Sequence, residues 1–101
     1  MTDEQKEILN EAIRHYGADL QVTVAIEEMS ELTKELCKRK RGKINYADLS
    51  GEIADVSIML EQLEIMFEIS PATIENIKDY KIRRLESRIF NEKRLKENGC
   101  K

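Results

Sequence analysis

The sequence is poor in the residues that break, staple or anchor a chain. Among 101 residues there are one proline, Pro71, and four glycines. So few breakers leave room for few turns, as in a helical bundle. The two cysteines, Cys37 and Cys100, form no CxxC and no Cys/His spacing, so both are read as free thiols in a reducing cytoplasm. One histidine, His15, leaves no Ser/His or Cys/His arrangement for nucleophilic catalysis. It also rules out a four-helix di-iron site, which needs Glu-x-x-His on two of its helices. His15 is read as a surface or interface residue that favours a helix C-terminus when protonated. No apolar run approaches the roughly 20 residues of a membrane span, so no membrane role is expected. Met1-Thr2-Asp3-Glu4 does not read as a signal peptide. The formal net charge of −3 argues against non-specific DNA binding, and no nucleic-acid partner is expected.

What is present is charge set out with helical periodicity. Charged residues make up 37% and hydrophobic residues 41%. That balance fits an all-α, four-helix bundle-like single domain over 1–101, with a core at about 3–90 and a polar tail at about 91–101. The first helix spans 3–16, capped by Thr2 or Asp3. Its apolar stripe is Ile8, Leu9, Ala12, Ile13 and Tyr16, and Gly17 stops it. The second runs from about Asp19, a candidate cap, to about Arg41. Its apolar stripe is Val22, Ala25, Ile26, Met29, Leu32 and Leu36. Beside this lies a second stripe of Gln21, Val24, Glu28, Glu31 and Glu35. The third helix starts near Tyr46 and ends before Ser70-Pro71. Leu49, Ile53, Val56, Leu60, Leu63 and Phe67 form a coiled-coil-like seam along it. Ile58, Ile65 and Ile69 make a further apolar face, so this helix is either central or part of a subunit interface. Ser70 and Pro71 are cap and first residue of the fourth helix, and residues 98–101 are expected to be mobile.

Two stretches carry the chemistry. Glu27-Glu28-Met29-Ser30-Glu31 is followed by Glu52-Ile53-Ala54-Asp55, each on a helical pattern. Residues at i and i+3 share a helix face, so Glu28/Glu31 and Glu52/Asp55 would place four carboxylates around one small space. Unneutralised carboxylates repel one another, so gathering them implies a cation. Oxygen-only ligands suit Mg²⁺, with Mn²⁺ as the alternative, better than zinc or copper. Two basic features stand nearby in sequence. Lys38-Arg39-Lys40-Arg41-Gly42-Lys43 is either a solvated helix end or a phosphate contact, and Lys81, Arg84 and Arg88 form a basic helical stripe. Metal-held phosphate oxygens with Lys and Arg beside them fit hydrolysis of a phosphoanhydride.

Glu27-Glu28-Met29-Ser30-Glu31-Leu32 with Glu52-Ile53-Ala54-Asp55-Val56 resembles the EExxE…ExxD signature of the MazG-like all-α nucleoside triphosphate pyrophosphohydrolases. Lys81-Ile82-Arg83-Arg84-Leu85 resembles a degenerate form of that family's following basic segment. The likeness covers roughly residues 18–90. It implies a helical homodimer or homotetramer that cleaves a nucleoside triphosphate between the α- and β-phosphates, giving a monophosphate and pyrophosphate with Mg²⁺. By the same resemblance Glu28, Glu31, Glu52 and Asp55 would be metal ligands, and Glu27, the leading acid of the motif, would either support those ligands from behind or orient a water. Lys81 and Arg84 would contact phosphates. Gln21, about two turns before Glu28 on the same face, would contact the nucleotide.

Two other functional classes fit the same residues. One is a non-catalytic helical module that binds nucleotide or metal in regulation or assembly. The other is a structural interaction protein whose carboxylates are solvated. Independently of the chemistry, four helices in a chain this short cannot easily cover both apolar faces of 46–69. A second copy is expected to cover one of them.

Overall fold

The computed structural model describes residues 1–99 and is all-helical, with no strand among the described residues. The helices are α1 (Asp3–Tyr16), α2 (Ala18–Lys40), α3 (Tyr46–Met66) and α4 (Pro71–Gly99). None of them is long and apolar enough to cross a membrane. Cys100 and the end of the expected mobile tail lie outside the described residues. The chain divides into two compact units, Met1–Glu68 with α1 to α3, and a second beginning at Ile69 that holds α4.

Local chemistry sets each boundary. Thr2 Oγ1 accepts the Gln5 backbone N–H at 3.1 Å while Gln5 Oε1 accepts the Thr2 N–H at 2.9 Å, a reciprocal capping box that starts α1. Gly17, at φ 89°, closes α1 and is also the residue from which α2 begins. That corrects the cap expected at Asp19. The left-handed glycine lets the helix restart at once, which leaves Asp19 inside the first turn as a dipole-complementing acid. At the other end of α2, Lys43 N–H reaches the Lys38 carbonyl and Gly42 N–H the Arg39 carbonyl, with Gly42 at φ 73°. This is the Schellman arrangement, and it makes Lys38–Lys43 a tightly closed helix end. Asn45 Oδ1 caps α3 through the Asp48 N–H, and Ser70 Oγ caps α4 through the Thr73 N–H, each at 3.1 Å. The expected Ser70-Pro71 start of α4 holds. The helix, however, continues through the polar stretch after Phe90 to Gly99. Residues 91–97 are mostly good helix formers, so the absence of an apolar stripe there does not end the helix.

Within the first unit α2 packs mainly on α3. Only the five residues 41–45 join them, so the pair is antiparallel. The buried residues are Leu9 of α1, Gln21 and Ala25 of α2, and Met59 and Gln62 of α3. This differs in rotation from the sequence expectation. Of the apolar stripe on α2, Ala25 is buried and Val22 and Leu32 are half-buried, while Ile26, Met29 and Leu36 are exposed. On α3, Leu49, Val56 and Leu63 are half-buried, and Ile53, Leu60 and Phe67 are exposed. The helices meet along a line shifted towards the polar stripe, through Gln21, Ala25, Glu28 and Leu32 on α2 and Glu52, Val56, Met59 and Gln62 on α3. At 100° per residue in an antiparallel pair, Ile26, Met29 and Leu36 fall on the same side as Ile53, Leu60 and Phe67. The hairpin therefore has an exposed apolar flank opposite the flank that carries its acids.

Candidate metal centre

The acids of α2 and α3 meet because the antiparallel register brings the middle of one helix to the first half of the other. One carboxylate oxygen from each of Glu28, Glu52 and Asp55 lies within 4.8 Å of the others. Glu28 and Glu52 are half-buried and Asp55 is exposed, so the cluster is rooted in the helix contact and opens to solvent at Asp55. Glu52 Oε2 is buried and has no hydrogen-bond partner. A carboxylate oxygen in that state is costly unless it binds a proton or a cation.

The electrostatics agree with the geometry. Removal from water raises the Glu28 carboxyl above its ordinary value, and Asp55 adds to the rise through its charge and a shared hydrogen bond. Smaller contributions come from Glu31 and Glu27. Glu52 is raised by the same loss of water, then by Asp55, Glu28, Glu31 and Glu35 in that order. Like charges across the helix contact make each further ionisation harder. A divalent ion would reverse that balance, since three oxygens with no nitrogen or sulfur among them form a hard donor set.

The residues expected at this site divide into groups. Glu28, Glu52 and Asp55 come together. Glu31 acts on both half-buried glutamates through its field but stands outside the close trio. Glu27 is exposed and bears only on Glu28. Gln21 lies two turns before Glu28 as expected, yet it is buried, not open to solvent. Lys81 and Arg84 are exposed on α4 in the second unit, where the Arg84 guanidinium lies 5.9 Å from the Tyr80 ring centroid. The neighbouring α4 cations Lys78 and Arg83 pair with Glu75, Asp79 and Glu86. Among the described residues Lys81 and Arg84 make no ion pair.

Two features escaped the sequence. Glu35 has a side chain only 11% exposed and pairs with Lys38 at 3.0 Å, so one cation of the basic cluster is turned back onto the acidic stripe. That pairing raises the Lys38 ammonium above its ordinary value. Gln62, buried to 4% exposure, has an unpartnered amide oxygen. The available signal was its place seven residues after Asp55, which mirrors Gln21 seven before Glu28. No family model, curated protein or solved structure matches the chain.

Proposed function

We propose that the protein is a Mg²⁺-dependent nucleoside triphosphate pyrophosphohydrolase of the MazG-like kind. The carrying observation is the trio Glu28, Glu52 and Asp55, drawn together across α2 and α3 with a buried Glu52 oxygen that nothing satisfies. These are three of the four ligand positions implied by the resemblance, and Glu31 is one turn from Glu28 on α2. A divalent ion held here would supply Lewis-acid stabilisation of phosphate oxygens and lower the pKa of a bound water. The chain's own contribution is to hold the carboxylates correctly spaced, with Glu31 and Glu27 adding negative potential at the rim that attracts a cation. Lys81 and Arg84 enter as phosphate contacts on the resemblance alone. The bond broken is the α–β phosphoanhydride, with one water consumed and monophosphate and pyrophosphate released.

The working form in this proposal is a homo-oligomer, a dimer or a tetramer, built on the apolar flank of Ile26, Met29, Leu36, Ile53, Leu60 and Phe67. Joining through that flank leaves the acidic flank free for substrate. The deciding experiment incubates the purified protein with Mg²⁺ and a panel of nucleoside triphosphates, with Glu52→Gln as control. Monophosphate plus pyrophosphate, lost in the control, is the expected result. Diphosphate plus orthophosphate would assign the wrong bond. Nucleotide binding without any product would make the protein a non-catalytic module.

A further inference from the structure

The single chain leaves two apolar faces uncovered, one in each of its compact units. In the first unit it is the flank of Ile26, Met29, Leu36, Ile53, Leu60 and Phe67, all exposed. In the second it is a stripe along α4. At 100° per residue Ile74, Ile77, Ile82, Leu85 and Ile89 fall within an arc of about 140°. All of these but Ile74 are exposed, and no residue of α4 is buried. A lone helix in water is marginal unless its apolar face is packed, so α4 needs a cover as the flank does.

The two faces match in length and are opposite in charge. From Ile74 to Ile89 the stripe advances fifteen residues, about 22 Å, and from Ile53 to Phe67 the flank advances fourteen, about 21 Å. Residues 1–68 hold eight Lys or Arg and fifteen Asp or Glu, a net charge of −7. Residues 69–101 hold nine and five, a net charge of +4. Charge also stands at the faces themselves. Lys81 and Arg88 fall inside the α4 arc with Arg84 at its border, and among the described residues none of the three makes an ion pair. Glu64, four residues after Leu60 and three before Phe67, stands on the flank. Joining like faces therefore sets like charges together, and joining unlike faces sets opposite charges together.

We propose that α4 of one copy lies on the apolar flank of a second copy, and that the exchange is reciprocal, giving a closed two-fold dimer. This rests on the oligomer reading above, names what covers the flank, and is independent of the nucleotide chemistry. A contact as long as α3, about 30 Å, and one helix wide, about 10 Å, covers about 300 Å² on each face. Reciprocal exchange covers four faces, about 1,200 Å² in all, which is enough for a stable interface. One helix on one flank covers only half of that, so the closed pair is favoured over a single docking event. Pairing flank to flank would leave both α4 stripes in water.

Sedimentation velocity on two variants tests the exchange. Leu60 and Leu85 are 45% and 49% exposed in the single chain, so changing either removes no buried contact within it. Leu85→Asp spoils the α4 stripe and Leu60→Asp spoils the flank. Each alone should sediment as a monomer at micromolar concentrations at which the parent is a dimer. Mixed in equal amounts at about 200 μM they should form a heterodimer, while each alone at that concentration stays monomeric. The intact α4 of the Leu60→Asp protein then meets the intact flank of the Leu85→Asp protein. A mixture that stays monomeric would overturn the exchange, since like-to-like pairing offers no intact contact in any mixture. A Leu85→Asp protein that dimerises as the parent does would overturn it too, and would leave flank-to-flank pairing standing. A monomeric parent would overturn the oligomer reading and the exchange with it. A further measurement needs no variant and stands even where one fails to fold. The parent's dissociation constant should rise with added salt, because opposite charges across the interface are screened. A dimer that tightens with salt would overturn the proposal.

Discussion

The two flanks of the α2–α3 hairpin invert the usual partition of residues. On one flank carboxylates and amides are drawn into the helix contact, where Gln21 and Gln62 are buried and Glu28 and Glu52 half-buried. On the other, Ile26, Ile53, Leu60 and Phe67 are between 45% and 61% exposed. A chain selected only for monomer stability would rotate both helices to bury the apolar flank, since each apolar side chain covered gains about 1.5–3 kcal/mol. In the proposed function the rotation serves two external partners. A charged ligand suits the polar flank and a second copy suits the apolar one. A change on one flank leaves the other as its control.

The largest effect is expected at the acids. Glu52→Gln should lower turnover by about 10²–10³-fold or more, measured as pyrophosphate release, while the sedimentation behaviour of the apolar flank is unchanged. Next comes the opposite flank. Leu60→Asp places an unpaired charge where a second copy would bury it, so the variant should sediment as a monomer at micromolar concentrations at which the parent is oligomeric. A parent that is itself monomeric would remove the explanation offered for the exposed stripe.

A pH series separates the flanks a third way. The Glu28 and Glu52 carboxyls are raised in the folded protein by loss of water and by neighbouring acids. A raised group favours the fold fully below its unfolded pKa, and that contribution is lost as pH rises through the folded value. The metal-free protein should therefore have its highest thermal midpoint on the acid side and lose stability from about the ordinary glutamate value upwards. Mg²⁺ should flatten that fall by replacing the proton, and Glu52→Gln should flatten it without metal. A midpoint that climbs over the same interval would contradict the arrangement of charges. The smallest effect is expected at a helix end. Thr2→Ala removes the capping box of α1 and should cost about 1 kcal/mol in denaturant unfolding, with turnover per folded molecule unaltered.

How much of this was legible follows from what periodicity encodes. The beginnings of α1 and α4 could be read because their caps are written in side chains, Thr2 with Gln5 and Ser70 with Pro71. The convergence of Glu28, Glu52 and Asp55 was legible because the i, i+3 spacing on each helix fixes a face and the short connection fixes antiparallel pairing. The rotation of the helices was not. A hydrophobic stripe marks a face that avoids water, but it does not say whether a neighbouring helix or a second molecule covers it. Hence Ile26, Leu60 and Phe67 read as core and stand exposed. Gln62 was missed for a related reason, since a lone amide in an apolar helix interrupts no pattern. The continuation of α4 to Gly99 was missed because the stretch after Phe90 lacks an apolar stripe, although its residue types favour helix.

The central claim is that the polar flank holds a divalent cation on Glu28, Glu52 and Asp55. Its most direct test is Mn²⁺ binding followed by electron paramagnetic resonance, with and without tripolyphosphate, in the parent and in Glu52→Gln. Saturable binding in the parent, enhanced by tripolyphosphate and largely lost in the variant, is the expected result. Equal Mn²⁺ binding by both proteins, or none by the parent even with tripolyphosphate, would contradict the account.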